Sequence, residues 1–213
     1  MLDIEEKIRK EKFIGILRNV PLNKTEAVAD AMYRGGIRIF EVTYNPSESD
    51  TVEKVSKQLE IIKGIHNDAA FCVGTVVFPE FVEAAHKAGA SAIVSPTTDC
   101  DIIKLTKKMG MLSMPGAFTP SEINYAYNCG ADIVKIFPIL PTDITYLKTV
   151  MSPLSHIPFI TTGGVNPSTI PLLLSAGAAA VAAGATIIPP DALKNDDYIS
   201  IQNNAEAHIS ALQ

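Results

Sequence analysis

The chain contains 213 residues, of which 47% are hydrophobic and 19% are charged, so it can bury one sizeable core. Its formal net charge of −5 argues against the strongly basic surface that is typical of nucleic-acid-binding proteins. The first residues, MLDIEEKIRKEK, are charged and lack the apolar segment of a signal peptide. No apolar run reaches the roughly 18 residues that a membrane-spanning helix needs. We therefore expect a cytoplasmic protein that binds neither nucleic acid nor membrane.

Short apolar runs rich in β-branched residues alternate with longer helical patterns along the chain. The runs predict strands at 13–18, 37–43, 71–77, 92–96, 111–116, 133–138, 158–164 and 179–184. Helical spacing predicts helices between them, at 24–36, 50–63, 79–89, 101–110, 119–130, 143–151 and 166–177. Pro79 suits a first helical turn, and Thr119 or Ser121 can cap the helix that follows the fifth run. Glycines stand where helix C-caps are expected, at Gly35, Gly89, Gly110, Gly130 and Gly177.

The apolar runs are continuous rather than alternating, which indicates strands that are buried on both faces of a parallel sheet. Eight strand–helix units predict an α/β fold, a single (β/α)8 TIM barrel domain over residues 1–213, with a short N-terminal helix and a C-terminal helix. The alternative is a doubly wound open sheet, which usually has a glycine-rich turn after its first strand. Here the first strand continues as ILRNVPLNK, without such a turn. The barrel is therefore the favoured prediction.

Polar residues stand at the predicted C-terminal ends of several strands. In a barrel these ends meet at one mouth, where the active sites of this fold lie. We therefore expect the following residues to converge there: Arg18, Glu41, Thr43, Thr75, Ser95, Lys135 and the segment TTGG at 161–164.

Lys135 lies inside the apolar run ADIVKIFPIL. Because Val134 and Ile136 should face the helices, Lys135 should point into the barrel, where loss of hydration disfavours an ammonium group. A neutral amine can attack a carbonyl carbon and form a Schiff base. Glu41 should face the same interior, and a carboxylate there could carry protons to and from an imine-bound carbon. From these residues alone, a structural ion pair between Lys135 and Glu41 remains the alternative.

The segment TTGGVNPST is expected to open a helix. Gly163 and Gly164 would expose backbone N–H groups at the mouth just before the helix N-terminus, an arrangement that attracts phosphate or carboxylate. The loops after strands seven and eight are the common phosphate site of this fold. A glycine turn that serves tight packing is the alternative interpretation.

Six motifs occur in a characteristic order: EVTYNP, VGTV, SPTT, PGAFTPSE, VKIFP and TTGGVNPST. Together they resemble the 2-keto-3-deoxy-6-phosphogluconate/4-hydroxy-2-oxoglutarate aldolase family, from about Phe13 to Ile188. Members of that family are class I aldolases on a (β/α)8 barrel, usually homotrimers, and act in carbohydrate metabolism of the Entner–Doudoroff type. The resemblance implies reversible cleavage of a 2-keto-3-deoxy-6-phosphosugar acid to pyruvate and glyceraldehyde 3-phosphate. It implies no metal and no other cofactor, because the imine withdraws the electrons.

The resemblance also implies roles for individual residues. Lys135 matches the Schiff-base lysine of the family's K-x-F-P motif, and Glu41 matches the proton-transferring glutamate of its E-V-T motif. Thr75 resembles the threonine that holds the pyruvate carboxylate. The resemblance implies substrate binding, with the phosphate at the last three residues, by Arg18, Thr75, Phe137, Thr162, Gly163 and Gly164.

The sequence departs from the family pattern at three places. Asn45 stands where some members have an arginine that grips the pyruvate carboxylate, so we expect Asn45 to bind substrate without a charge, with Arg18 compensating. Ala185 replaces a serine that binds phosphate in many members. The segment Ile139–Leu140 is expected to make the mouth more apolar. These departures leave open 4-hydroxy-2-oxoglutarate or a 6-phosphogalactonate analogue as substrate, and also a non-catalytic anion-binding barrel.

The cysteines and histidines give no sign of a metal or nucleophile site. No two cysteines form a CxxC pair, so we expect ordinary small residues in a reducing compartment at Cys72, Cys100 and Cys129. The histidine spacing fits no metal site, and we expect surface residues at His66, His86, His156 and His208.

Overall fold

In the computed structural model, which describes residues 3–139 and 144–213, nine parallel strands curl into a barrel. The strands are β1 (Phe13–Leu17), β2 (Ile39–Thr43), β3 (Ala70–Gly74), β4 (Ala92–Val94), β5 (Leu112–Met114), β6 (Gly116–Ala117), β7 (Val134–Ile136), β8 (Phe159–Thr162) and β9 (Ala180–Ala183). Their order is β5-β4-β3-β2-β1-β9-β8-β7-β6, so the first strand pairs with the last. The predicted TIM barrel is confirmed.

The fifth predicted strand is split in two at Pro115, because proline has no N–H group to donate to a ladder. β5 pairs with β4, whereas β6 pairs with β7. The Lys135 N–H group donates to the Pro115 carbonyl at 2.8 Å, so β7 is hydrogen-bonded to the residue at the break itself. β5 and β6 therefore act as one bent strand that closes the barrel between β4 and β7.

The helices alternate with the strands along the described chain. They are α1 (Ile4–Glu11), α2 (Thr25–Arg34), α3 (Thr51–Ile65), α4 (Pro79–Lys87), α5 (Cys100–Lys108), α6 (Pro120–Asn128), α7 (Ile144–Met151), α8 (Ile170–Ser175), α9 (Pro190–Lys194) and α10 (Tyr198–Ser210). Thr119 and Glu122 cap α6 reciprocally. Gly35 is the C-cap of α2, as predicted, and the left-handed residue is Gly36, which follows it. The predicted start of the seventh helix at 143 lies outside the described residues. None of the described helices is both long and apolar enough to cross a bilayer.

Two apolar layers lie on opposite faces of the barrel wall. The inner layer is closed at the bottom by Ile8 of α1, which is fully buried against the strands. Successive side chains of a strand point to opposite faces, so residues two apart share a face. Ile39 and Ile133 belong to the inner layer, so Glu41 and Lys135 follow them into the interior. The outer layer packs against the helices and contains, among others, Phe40, Val42, Val134 and Ile136.

The expectation of three free cysteines is wrong. Cys100, at the start of α5, forms a disulfide with Cys129, the C-cap of α6, and their Cα atoms are 5.4 Å apart. Cys72 is free and lies in the inner layer. The bonded pair is separated by 29 residues, and only the packing of α5 beside α6 brings the two residues together.

Two of the histidines expected at the surface are buried. The ring of His66 stacks on the Tyr33 ring at 3.7 Å between centroids, and its exposed fraction is 9%. His208 is only 1% exposed, and both of its ring nitrogens have hydrogen-bond partners. Aromatic stacking and local hydrogen bonds made their burial possible, and spacing in the sequence reveals neither. His86 and His156 are exposed, as expected.

Candidate active site

A cavity of about 520 Å³ opens at the C-terminal ends of the strands. Strand ends from both halves of the barrel contribute to it, so residues far apart in sequence share one wall. Of the predicted site residues, the cavity is lined by Arg18, Glu41, Thr75, Lys135, Phe137, Thr162, Gly163 and Gly164. Thr43 also lines it, whereas Ser95 and Thr161 are buried behind the wall and do not.

Lys135 projects from β7 into this cavity. Its neighbours Val134 and Ile136 pack outward against the helices, as expected for alternate positions of a strand. Its side chain is 7% exposed, and its Nζ atom lies 5.1 Å from the centre of the Phe137 ring. The amine thus lies in the lining of an open cavity, where it can reach the carbonyl carbon of a bound ligand.

Glu41 lines the same cavity from β2 and is 2% exposed. Its Oε2 atom has no hydrogen-bond partner among the described residues. Burial raises the pKa of the carboxyl above its ordinary value of 4.5, and the charges of Lys135 and Arg18 oppose this effect. A carboxyl in the lining of a cavity, with a raised pKa and an oxygen that has no partner, can accept and return a proton.

Gly74 was missed by the sequence analysis, although it belongs to the VGTV motif. It lies on β3 beside Glu41, and a Cβ atom at this position would overlap the Glu41 carboxylate. The next residue, Thr75, adopts a left-handed φ of 59°, which is uncommon for a residue with a side chain. Together the two residues leave room for the carboxylate and turn the chain so that Thr75 lines the cavity.

Two short turns form the far wall of the cavity, one after β8 (163–165) and one after β9 (184–186). Among the described residues, the N–H groups of Gly164, Val165, Ala185 and Thr186 donate to no protein acceptor. Four such N–H groups, on turns that line one cavity, can bind an anion. We call residues 163–165 and 184–186 the anion cup.

The predicted link between the glycine turn and a helix N-terminus is wrong. α8 begins only at Ile170, and Asn166 caps the intervening turn by accepting hydrogen bonds from the N–H groups of Ser168 and Thr169. Gly163 has a φ of 112°, and a Cβ atom there would lie 2.9 Å from the Ile139 carbonyl oxygen. The glycine is thus required by backbone conformation and by close packing, and the cup depends on backbone N–H groups rather than on a helix dipole.

Asn45 is the predicted binding residue that does not line the cavity. Its side-chain amide donates to Glu48 at 2.9 Å, and its oxygen accepts from the Ser47 N–H group at 3.2 Å. These bonds build the turn that leads into α3. Ile139, expected at the mouth, is fully buried in the outer layer instead, and Leu140 lies outside the described residues.

An apolar wall and a buried histidine were not foreseen. Ile188, Pro190 and Leu193, from the segment around α9, close one side of the cavity. Lys24 holds this segment by donating to the Leu193 carbonyl at 2.7 Å. His208 lies behind the anion cup and contacts the Thr186 hydroxyl. No sequence signal pointed to these residues, because each acts through the packing of elements that are distant along the chain.

Comparison with known proteins identifies the family. The sequence model described as KDPG and KHG aldolase matches residues 4–204. The chain belongs to this aldolase family. It is 27% identical over 173 residues to the KHG/KDPG aldolase of Escherichia coli (strain K12), covering 80% of this chain and 78% of that protein. It is 28% identical over 180 residues to the 2-dehydro-3-deoxy-6-phosphogalactonate aldolase of the same strain, covering 84% and 85%.

A solved structure of a family member has the same fold. The KDPG aldolase from Legionella pneumophila, crystallised with pyruvate captured at low pH as a covalent carbinolamine intermediate, superimposes with a TM-score of 0.81 at 25% identity. The match covers 92% of this chain and 93% of that one. Because named relatives with different substrates are about equally similar to this chain, overall similarity does not select a substrate.

Proposed function

We propose that this family member is a class I aldolase that reversibly cleaves a 2-keto-3-deoxy-6-phosphosugar acid to pyruvate and glyceraldehyde 3-phosphate. The proposal is carried by one observation: Lys135 and Glu41, both almost fully buried, line the same cavity. Burying an amine and a carboxyl away from water is costly, and a binding protein would have little reason to keep both. An imine-forming enzyme needs both groups.

The reaction uses the two groups in turn. The Lys135 amine attacks the C2 carbonyl carbon, and loss of water gives the imine. The Glu41 carboxylate takes the proton of the C4 hydroxyl, the C3–C4 bond breaks, and its electrons move into the imine to form an enamine. The aldehyde leaves, Glu41 gives its proton to C3 of the enamine, and water hydrolyses the resulting imine to release pyruvate and the free amine.

The two ends of such a substrate suit the two ends of the cavity. We place the keto-acid carboxylate near Arg18 and Thr75, because Arg18 supplies a cation and Thr75 a hydroxyl at the mouth of the barrel. We place the phosphate in the anion cup. The binding roles proposed for Phe137 and Thr162 are more limited: Phe137 lies beside the amine, and the Thr162 hydroxyl already donates to the Ala182 carbonyl at 2.8 Å.

A second candidate, cleavage of 4-hydroxy-2-oxoglutarate, is favoured by the composition of the anion cup. Its side chains provide no cation, residue 185 is alanine, and the Thr186 hydroxyl is directed to the Val165 carbonyl at 2.8 Å. A substrate without phosphate would not need these groups. Kinetic comparison of the 6-phosphogluconate-derived, 6-phosphogalactonate-derived and unphosphorylated keto acids decides between the candidates, since a binding cup that serves phosphate must give the phosphorylated acids the higher kcat/KM.

Borohydride trapping tests the imine. The protein is incubated with pyruvate, reduced with sodium borohydride and digested for peptide mass spectrometry. We expect a reduced pyruvyl adduct on Lys135 and none in Lys135→Met, which keeps a long apolar side chain in the cavity. A folded protein that gives no adduct would falsify the class I mechanism and favour the non-catalytic anion-binding barrel.

A homotrimer and a cytoplasmic location complete the proposal. The family resemblance supports the trimer, and exposed aromatic side chains such as Tyr125 and Phe118 offer surface for an interface. Light scattering measures the mass in solution, and a monomeric mass would contradict the trimer. Fractionation of cells that produce the untagged protein tests the location.

A further inference from the structure

His208 of α10 lies behind the anion cup and is almost fully buried. Its Nδ1 atom is 2.7 Å from the Asn204 carbonyl oxygen, and its Nε2 atom is 3.0 Å from the Thr186 hydroxyl. The Thr186 hydroxyl is also 2.8 Å from the Val165 carbonyl oxygen. One hydroxyl therefore connects the two turns of the cup, and the imidazole ring holds that hydroxyl from behind.

The hydrogen bonds around His208 favour one protonation state of its ring. A carbonyl oxygen only accepts, so Nδ1 must carry a proton to bond Asn204. The Thr186 hydroxyl has one proton, but both the Val165 oxygen and an unprotonated Nε2 would require it. If Nε2 is protonated, it donates to Thr186, and Thr186 donates to Val165. The neutral ring leaves one contact unmade, whereas the imidazolium completes all three.

The environment of His208 makes its protonation depend on what the cup contains. Burial lowers the pKa of the ring, while the carbonyl oxygens of Asn204 and Val165 favour the protonated form. No charged side chain among the described residues contributes to this shift. An anion in the cup would be the first charge near the ring, and it would favour the imidazolium.

Three charged side chains on or beside the elements around α10 are bound to other partners. Glu206 of α10 accepts from Gln202, Arg34 of α2 pairs with Asp30, and beyond α9 Asp196 pairs with Lys24. β1 presents the Phe13 ring edge-on to His208, at 5.6 Å between ring centres. A second contact joins α10 to the chain just after the 184–186 turn, because the Asn204 side chain donates to the Ile187 carbonyl at 3.2 Å.

We propose that His208 is a positioning residue for the anion cup, and that it takes up one proton from solvent when a dianion binds. The protonated ring orders the Thr186 hydroxyl, which holds the 163–165 and 184–186 turns together around the anion. The inference deepens the proposed function, because the dianion would be the phosphate group of the substrate. It also makes affinity for phosphorylated substrates depend on pH through a residue that never touches them.

The test uses inorganic sulfate, which remains a dianion throughout the pH range in which histidine titrates. Sulfate affinity of the full chain is measured by calorimetry as a function of pH. One proton taken up per anion predicts that the affinity falls by up to about tenfold for each pH unit above the pKa of the ring. His156→Gln is the matched control, because His156 is exposed and lies outside the cavity lining. The control should keep the full slope.

Two variants separate the proton from the hydrogen bond. In His208→Gln the amide nitrogen can donate to Thr186 at every pH, so sulfate binding should persist with a flattened pH dependence. In Thr186→Val the bridge between the turns is lost at nearly constant volume, so affinity should fall at every pH. An unchanged slope in His208→Gln would overturn the proposal, even if both variants fold normally.

Nuclear magnetic resonance of the histidine ring nitrogens gives an independent reading on the unaltered protein. The His208 signals are assigned by their absence in His208→Gln. We expect a neutral ring without sulfate and a doubly protonated ring in the saturated complex at the same pH. A ring that stays neutral in the complex contradicts the proposal. Failure of borohydride trapping would remove the aldolase function but leave this result intact, whereas absence of sulfate binding would remove the inference but not the imine.

Discussion

Gly74 on β3 lies directly beside the carboxylate of Glu41 on β2, with no room for a Cβ atom between them. Cys72, two residues earlier on the same face of β3, pairs in register with Glu41. The Glu41 carboxylate therefore occupies the space that an inward side chain at position 74 would fill. A missing side chain on one strand creates the space for a buried acid on its neighbour.

The first prediction concerns Gly74→Ala. The added methyl group would meet not only the carboxylate oxygen but also Cδ and Cγ of Glu41, at 2.7 and 2.9 Å, so the whole side chain must move. We expect kcat for aldol cleavage to fall by roughly a hundredfold or more, the usual contribution of a positioned proton-transfer group. Pyruvate should still be trapped on Lys135, because the amine is not displaced.

Gly64→Ala is the matched control for this substitution. Gly64 lies in the last turn of α3, and nothing lies within 4 Å of the position of an added Cβ atom. Kinetics should be unchanged, and stability should rise by up to about 1 kcal/mol because alanine favours helix. Wild-type kcat in Gly74→Ala would show that Glu41 is not held by this contact.

The second prediction uses the raised pKa of Glu41. The folded state holds this proton more tightly than the unfolded state, whose carboxyl titrates near the ordinary value of 4.5. The contribution of Glu41 to the free energy of unfolding is therefore fully present below that pH and is lost as pH rises through the raised value. Glu41→Gln cannot ionise, so it does not lose this contribution. The difference in thermal midpoint between Glu41→Gln and the unaltered protein should therefore increase as pH rises from the ordinary pKa to the raised pKa.

Glu122→Gln supplies a control of opposite sign. The N–H groups of Thr119 and Phe118 donate to Glu122 and lower its pKa, so this carboxylate stabilises the fold above the ordinary value and loses that effect as pH falls. The midpoint difference for Glu122→Gln should decrease as pH rises. Parallel trends in both variants would refute the assignment for Glu41.

The third prediction concerns the Cys100–Cys129 disulfide. Denatured protein that has not been reduced should show one reactive thiol, that of Cys72, and three after reduction. In the chain-entropy account, closing a loop of this length stabilises the fold by roughly 3–4 kcal/mol, so Cys100→Ser should lower the thermal midpoint. Three thiols before reduction would show that the bond is absent.

The barrel could be predicted because its signals are local. The run at 37–43 and the run at 133–138 each contain enough apolar residues to identify a buried strand, and alternation then sets the direction of Glu41 and Lys135. Pro115 is visible in the sequence. Whether it splits a strand, however, depends on how that strand pairs with its neighbours, β4 and β7. The disulfide depends on the packing of two helices, which no local pattern encodes.

The position of a site residue could be predicted where the end of a strand determines it. It could not be predicted where a side-chain contact determines it. Thr75 and Lys135 line the cavity because their strands end there. Asn45 also follows a strand end, yet its amide bonds to Glu48 within its own turn. His208 is 22 residues from Thr186 in sequence, and only the return of α10 against the barrel brings them together.

The last prediction separates Arg18 from Asn45, two of the residues expected to hold the keto-acid carboxylate. Arg18 lines the cavity and carries a charge, so Arg18→Met should raise KM for the keto acid by roughly ten- to a hundredfold, the effect of losing a charged hydrogen bond. Asn45→Ala should leave KM unchanged. It should instead lower stability by about 1 kcal/mol, because the turn into α3 loses two side-chain bonds.

Steady-state kinetics and thermal unfolding of the two variants test this separation, and each variant is the control for the other. A rise in KM for Asn45→Ala equal to that of Arg18→Met would mean that the amide leaves Glu48 and turns into the cavity when substrate binds. In that case, Glu48→Ala should lower KM, because the amide would no longer have to break its bond to Glu48 before it binds substrate. Unchanged KM in both single variants would instead assign the carboxylate to Thr75 and the backbone around it.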